Sequence, residues 1–243
     1  KKLSKRDPKS NLLIHRENGM VPEGLVNYLG LLGWSIAADR DVFSKEEMIS
    51  AFDIADVNPN PARFDEKKCI AINADHIRLL DGDDFRGRLV PYLQKGDVVS
   101  ADSYEELPEG ERAILDAAAP LAQTRMQLLG EAPDLMRFLF IGADSIEYNE
   151  KAISKLRDTA PAVLEAAAGV FEGLEKFDAE HVKAALDAKL VDEMGIKPRF
   201  AFGPLFVAMT GTNVSLPVVD SIAILGRDEA IKRIRQLQPK LAE

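Results

Sequence analysis

The stretch SNLLIHRENGMVPEGLVNYLGLLGW, residues 10–34, decides what kind of protein this is. Ser10 is a candidate N-cap for a short helix, Gly19 a candidate terminator, and Pro22 fits the first position of a second helix, where its missing N–H costs nothing. Leu25, Tyr28, Leu29 and Leu32 recur at i, i+3, i+4 and i+7, the spacing of one apolar helical face, and Gly33 is placed to stop it. Two helices joined by a tight turn follow from these signals.

The same punctuation continues outward. In SKEEMISAF (44–52), Ser44 and Glu47 form a capping box ahead of Met48, Ile49 and Phe52. The proline-rich NPNPARFD (58–65) ends on Asp65, a cap for the next helix, and NADHIRLL (73–80) offers Asn73 as another cap. The polar, glycine-containing QKGDVVSADSYEELPEG (94–110) reads as a boundary between two domains, placed near Ser100. Beyond it, helices are expected over 111–129, 133–140, 150–156 and 161–177. Another is capped by Asp178 and closed by Gly195, and three more start near Pro198, Pro217 and Asp228. The expected fold is mainly α: a small α(+β) domain over residues 1–100, holding any sheet there is, and an all-α domain over 101–243.

Hydrophobic residues make up 46% of the 243 and charged residues 29%, which suits a folded chain in water and leaves no run for a membrane span. The single cysteine, Cys69, excludes an internal disulfide, and His15, His76 and His181 lack zinc-ligand spacing. A reducing, cytoplasmic setting and a monomer are expected, and the N-terminus lacks the pattern of a secretory signal. The formal charge is -9 but unevenly spread. Residues 1–16 hold six Lys/Arg against Asp7, and residues 227–240 hold five against Asp228 and Glu229. Basic patches on an acidic body suit a polyanion touched at separated places.

The first patch contains Lys2-Leu3-Ser4-Lys5-Arg6. It resembles the KMSKS signature of class I aminoacyl-tRNA synthetases, in the KLSKR form usual for the glutamyl-tRNA synthetases. GMVPEGLVNYLGLLGWS (19–35), NPARFDEKK (60–68), NADHIR (73–78), GPLFVAMTG (203–211) and ILGRDEAIKRI (224–234) resemble the bacterial members of that family in order and spacing. The resemblance implies the end of the KMSKS loop and a stem-contact domain over residues 1–100, then a helical anticodon-binding domain. A glutaminyl enzyme would instead be expected to end in β-barrels. The family's HIGH-type motif and Rossmann catalytic domain lie upstream of KMSKS, so the chain is expected to be a C-terminal part that binds no cofactor and catalyses nothing alone. The alternative is a standalone helical RNA-binding or protein-interaction module.

By the same resemblance the full enzyme uses ATP with Mg2+ and L-glutamate to charge tRNA-Glu. Lys5 would contact ATP, with Lys2, Ser4 and Arg6 around it. A mobile cationic loop of this kind neutralises charge that develops on a triphosphate during adenylate formation. Arg125, in LAQTRMQLL (121–129), falls where the family can place an arginine facing the third anticodon base. That base is C in tRNA-Glu and G in tRNA-Gln; a guanidinium fork pairs with O2 and N3 of cytosine but meets donors on guanine. The competing reading of Arg125 is an ordinary helix-surface arginine. Phe206 stands where the family commonly has an anticodon-contacting arginine, and it either stacks on a base, worth about 1–3 kcal/mol, or is core. Lys197, Arg199, Ser215 and Val218 border the same region. Asn73 and Arg78 are candidates for the acceptor side of tRNA, against readings as a helix cap and a surface residue. Cys69, His76 and Trp34 read as structural.

Overall fold

A computed structural model describes residues 11–60, 62–213 and 215–241 of the chain. The KMSKS-like residues Lys2, Ser4, Lys5 and Arg6 lie outside the described residues. The chain divides into two compact units. The first comprises residues 1–107 and 122–133 and contains helices α1 (Leu12–Glu17), α2 (Pro22–Gly30), α3 (Lys45–Ala51), α4 (Glu66–Leu79) and α5 (Gly82–Lys95). The second comprises 108–121 and 134–243. It holds most of α6 (Glu109–Gln123) and α7 (Ala132–Phe140), then α8 (Glu150–Ile153), α9 (Ala160–Gly173), α10 (Ala179–Leu186), α11 (Pro198–Thr210), α12 (Val218–Leu225) and α13 (Arg227–Leu237).

In the first unit the caps do what the sequence asks of them. Ser44 accepts from the Glu47 N–H at 3.1 Å while Glu47 accepts from the Ser44 N–H at 2.8 Å, a complete capping box. Asp65 accepts from the Lys68 N–H and caps α4. Pro22 opens α2, which ends at Gly30 rather than Gly33. Asn73 is not a cap: α4 runs through it, and it sits fully buried in the helix interior. Helix α5, which the apolar pattern alone does not announce, is capped by Asp81 and buries Phe85, Leu89, Val90 and Leu93. Arg88 of α5 ties it to α2 by a two-pronged pair with Glu23, 2.9 Å on each arm; Arg88 hydrogen bonding holds the Glu23 carboxyl below its usual range.

The β contribution shrinks to one antiparallel bridge, Ala37–Arg40, among the described residues. The Asn27 side chain substitutes for a strand here. Its amide donates to the Asp41 carbonyl at 2.8 Å and accepts from the Phe43 N–H at 3.1 Å, satisfying main-chain groups that a sheet would otherwise pair.

The second unit is built around a continuous apolar core. Val163, Leu164 and Phe171 of α9, Val182 and Leu186 of α10, Leu205 of α11 and Ile234 of α13 are all fully buried, each contributing about 1.5–3 kcal/mol of transfer free energy. The expected long helix from Asp178 is two pieces: α10 capped by Asp178, then a π-helical turn over Asp187–Glu193 that ends before Gly195. Arg233 of α13 is completely buried in this unit. Its guanidinium donates to Glu229 Oε1 at 2.7 Å and to the Met209 and Ile141 carbonyls at 2.6 Å each. Those three bonds compensate the burial that pushes its pKa down.

Candidate nucleic-acid interface

Helix α11 supplies one wall of a cleft of about 460 Å³ in the second unit. Pro198 starts the helix, and Arg199, Gly203 and Phe206 follow at i, i+4 and i+7, hence on one face. Phe200, Phe202 and Pro204 complete that wall, Lys155, Leu156 and Arg157 come from the turn after α8, and Asn213 from the turn after α11. Pro204 has no N–H to give, so the Phe200 carbonyl at the wall lacks its α-helical donor. A Cβ added at Gly203 would meet nothing within 4 Å, so the helix backbone itself is open to the cleft.

The electrostatics of this cleft are one-signed. Its lining contains Lys155, Arg157 and Arg199 and no carboxylate. None of the three forms an ion pair among the described residues, although Lys183, Lys189, Lys232 and Arg235 of the same unit each do. Lys197 and Arg199 stand at the N-terminal end of α11, whose first turn has no acidic residue. The positive end of a helix dipole disfavours cations and attracts anions, so this placement costs stability and builds potential for a phosphate. The Arg157 guanidinium lies 3.6 Å from the Phe200 ring centroid. Cations without ion pairs around phenyl faces form the combination that can hold unstacked bases and their phosphates.

An adjoining cleft of about 550 Å³ shares Phe202 and is lined by Glu180, Lys183, Pro217, Val218 and Asp220. It is mostly apolar. Lys183 there is paired with Asp187 and lies 5.3 Å from the Phe202 ring.

The structure thus brings Phe206 and Arg199 together, sets Lys197 at the cap of their helix, and puts Val218 in the adjoining cleft. Phe206 is half-buried in the cleft wall, between the two roles its sequence position allowed. Ser215 points elsewhere: it is buried and donates to the Leu135 carbonyl at 2.8 Å. Sequence reasoning missed Lys155, Arg157, Phe200 and Phe202. The run RFAFGPLF (199–206) carried an aromatic signal, but nothing local marked a turn some 45 residues earlier as its neighbour.

The remaining candidates belong to the first unit. Arg125 is exposed and lies in the turn after α6, since that helix stops at Gln123 instead of reaching Leu129. Arg78 lies on the last turn of α4 and forms an ion pair with Asp75. Asn73 is unavailable to any ligand, because it is fully buried and uses both ends of its amide within the protein.

The profile described as "Anticodon binding domain" matches residues 84–238. The chain belongs to the anticodon-binding domain family. A second profile, "tRNA synthetases class I (E and Q), catalytic domain", matches residues 1–70. Curated relatives of this member of the family include the glutamate–tRNA ligases of Clavibacter sepedonicus, 55% identical over 245 residues and covering 100% of this chain and 48% of the relative, and of Kocuria rhizophila, 52% identical over 242 residues with 100% and 47% covered. The chain spans about half the length of the curated relatives it matches. Among solved structures, the glutamate tRNA ligase of Elizabethkingia meningosepticum in complex with its amino acid matches with a TM-score of 0.74 at 23% identity, over 93% of this chain and 43% of that one. The glutamate-tRNA synthetase of Elizabethkingia anophelis matches at 0.75 and 24%, over 93% and 42%. These two share the anticodon-binding member's fold. Among the described residues no helix is long and apolar enough to cross a membrane, and no group of three or more His, Cys, Asp or Glu could hold a metal ion.

Proposed function

We propose that this chain is the tRNA-binding portion of a glutamate–tRNA ligase, and that the cleft over α11 receives unstacked bases of the tRNA-Glu anticodon loop. The observation that carries this reading is the cleft itself: three cations without counter-ions, three phenylalanines and no carboxylate in its lining. Arg199 and Lys197 neutralise phosphate, Phe206 and Phe200 offer stacking faces, and Arg125 reads the third anticodon base. Residues 1–100 serve the loop and stem side, where Arg78 exchanges Asp75 for an RNA phosphate, and residues 101–243 serve the anticodon side. In the longer enzyme, a cytoplasmic monomer, Lys5 with Lys2, Ser4 and Arg6 contacts the ATP that, with Mg2+, activates glutamate.

Gly203 provides the test, since a Cβ there meets no side chain from beyond its chain neighbours and a larger side chain blocks the cleft. Gly203→Leu should weaken binding of the 243-residue chain to a tRNA-Glu transcript by at least tenfold while leaving its melting temperature within a few degrees. Binding should also fall steeply with salt, as phosphate contacts require. Unchanged affinity in Gly203→Leu would remove the cleft from the interface. The catalytic-domain profile reaches only residues 1–70, so the chain alone should form no glutamyl-adenylate; glutamate-dependent pyrophosphate exchange by it would overturn that.

A further inference from the structure

We propose that Asn73 is a positioning residue for Arg125, fixing the turn that presents the guanidinium to the third anticodon base; this rests on the reading of Arg125 given above. The segment from Gln123 to Gly130 is fastened to the rest of the first unit on both sides of Arg125. On the near side, the Gln123 amide donates to the Ile77 and Leu80 carbonyls, 2.9 Å each, closing the C-terminal end of α4. On the far side, the Asn73 amide donates to the Gln127 carbonyl at 2.6 Å while its oxygen accepts from the Val21 N–H at 2.8 Å. Further along, the Leu129 N–H donates to the Gly19 carbonyl at 2.9 Å. Met126, immediately after Arg125, is fully buried.

Arg125 itself is exposed, with no side-chain hydrogen bond or ion pair among the described residues. An exposed, unpaired cation between anchored neighbours has its backbone fixed and its guanidinium free, the arrangement a recognition site needs. Asparagine is a poor choice for the interior of a helix, and a buried amide repays its desolvation only when both ends are bonded. Here both are, and they join the start of α2 to the turn that carries Arg125. Gly24 lets α2 come this close: a Cβ there would stand 2.7 Å from Asn73 Oδ1.

The test measures affinity of the 243-residue chain for two tRNA transcripts that differ only in the third anticodon base, C or G. Arg125→Gln should lower the C-over-G preference by about tenfold, the scale of one lost bidentate base contact. Asn73→Asp keeps the acceptor for Val21 but loses the donor to Gln127; it should lower the preference about three- to tenfold and leave the salt dependence unchanged. In the Arg125→Gln background it should lower the preference no further, because both changes act through one guanidinium. A merely structural role would weaken both transcripts equally and leave their ratio unmoved, and that result overturns the proposal, as does an additive loss in the double variant. A ratio insensitive to Arg125→Gln overturns the Arg125 reading and this inference with it, whereas a ratio sensitive to Arg125→Gln alone overturns only the role of Asn73. If Asn73→Asp does not fold, Gln123→Met, which releases the other anchor, must give the same non-additive loss.

Discussion

The two units hold themselves together by different means. The first adds directional bonds from buried polar side chains, Asn27, Asn73 and His76, to an apolar interior that includes Met20, Tyr28, Cys69 and Ile72 and the buried face of α5. It also carries all the large exposed apolar side chains among the described residues, from Leu12 and Leu13 to Ile54 and Leu79. The second buries a continuous aliphatic and aromatic core and sets three cations without ion pairs, Lys155, Arg157 and Arg199, on the cleft. Packing tolerates substitution provided volume is kept, whereas an amide network fails when a single atom is wrong. The contrast teaches that the first unit leans more on directional bonds between amides and main chain and the second more on its apolar core, where the exception among the described residues is a buried guanidinium, Arg233.

That exception should give the largest effect. Arg233→Ala strands the Met209 and Ile141 carbonyls and the Glu229 carboxylate, and should destabilise the second unit by about 3–5 kcal/mol. Urea unfolding measures it, and a loss under about 1 kcal/mol would show that the core carries the unit without the arginine. Next come two glycine substitutions of opposite sign. Gly24→Ala pushes a methyl against Asn73 and should cost about 1–3 kcal/mol. Gly203→Ala, in open space inside α11, should stabilise by up to about 1 kcal/mol. Equal effects would erase the distinction between a close-packed crossing and an open wall.

A smaller effect follows pH. Burial holds the His76 imidazole below its ordinary pKa, so the unfolded chain takes up the proton first. Its stabilising share is therefore complete above about pH 6.5 and is lost as pH falls below that value. Melting temperatures between pH 7.5 and 5 should fall more steeply for the natural chain than for His76→Gln, and parallel curves would remove His76 from the network. The smallest concerns Cys69, whose thiol is fully buried and pushed up to about 11. Iodoacetamide at pH 8 should modify it many times more slowly in the folded chain than in urea.

What the sequence made legible was local. The capping box at Ser44, the Asp65 and Asp178 caps and the prolines opening α2 and α11 are signals read within four residues, and the structure honours them. Helix α5 escaped because Gly87 and Pro91 interrupt its pattern. Asn73 was misread as a cap for a related reason: its side chain bonds to residues 52 and 54 positions away, which no local pattern encodes. The stop of α6 at Gln123 is likewise tertiary, since Gln123 and Gln127 are bonded to α4 and Leu129 to Gly19. At the cleft, Arg199 and Phe206 were legible from one helix, while Lys155 and Arg157 required the fold.

The guanidinium of Arg157 over Phe200 has a consequence for how tightly anything can settle there. On the reading proposed above, a base arriving at that ring would exchange with a resident cation rather than with water, forfeiting a contact worth about 0.5–1 kcal/mol. Stacking returns about 1–3 kcal/mol, so the exchange would trim the gain without cancelling it. On that reading, the resident cation would temper the grip of that ring on a base.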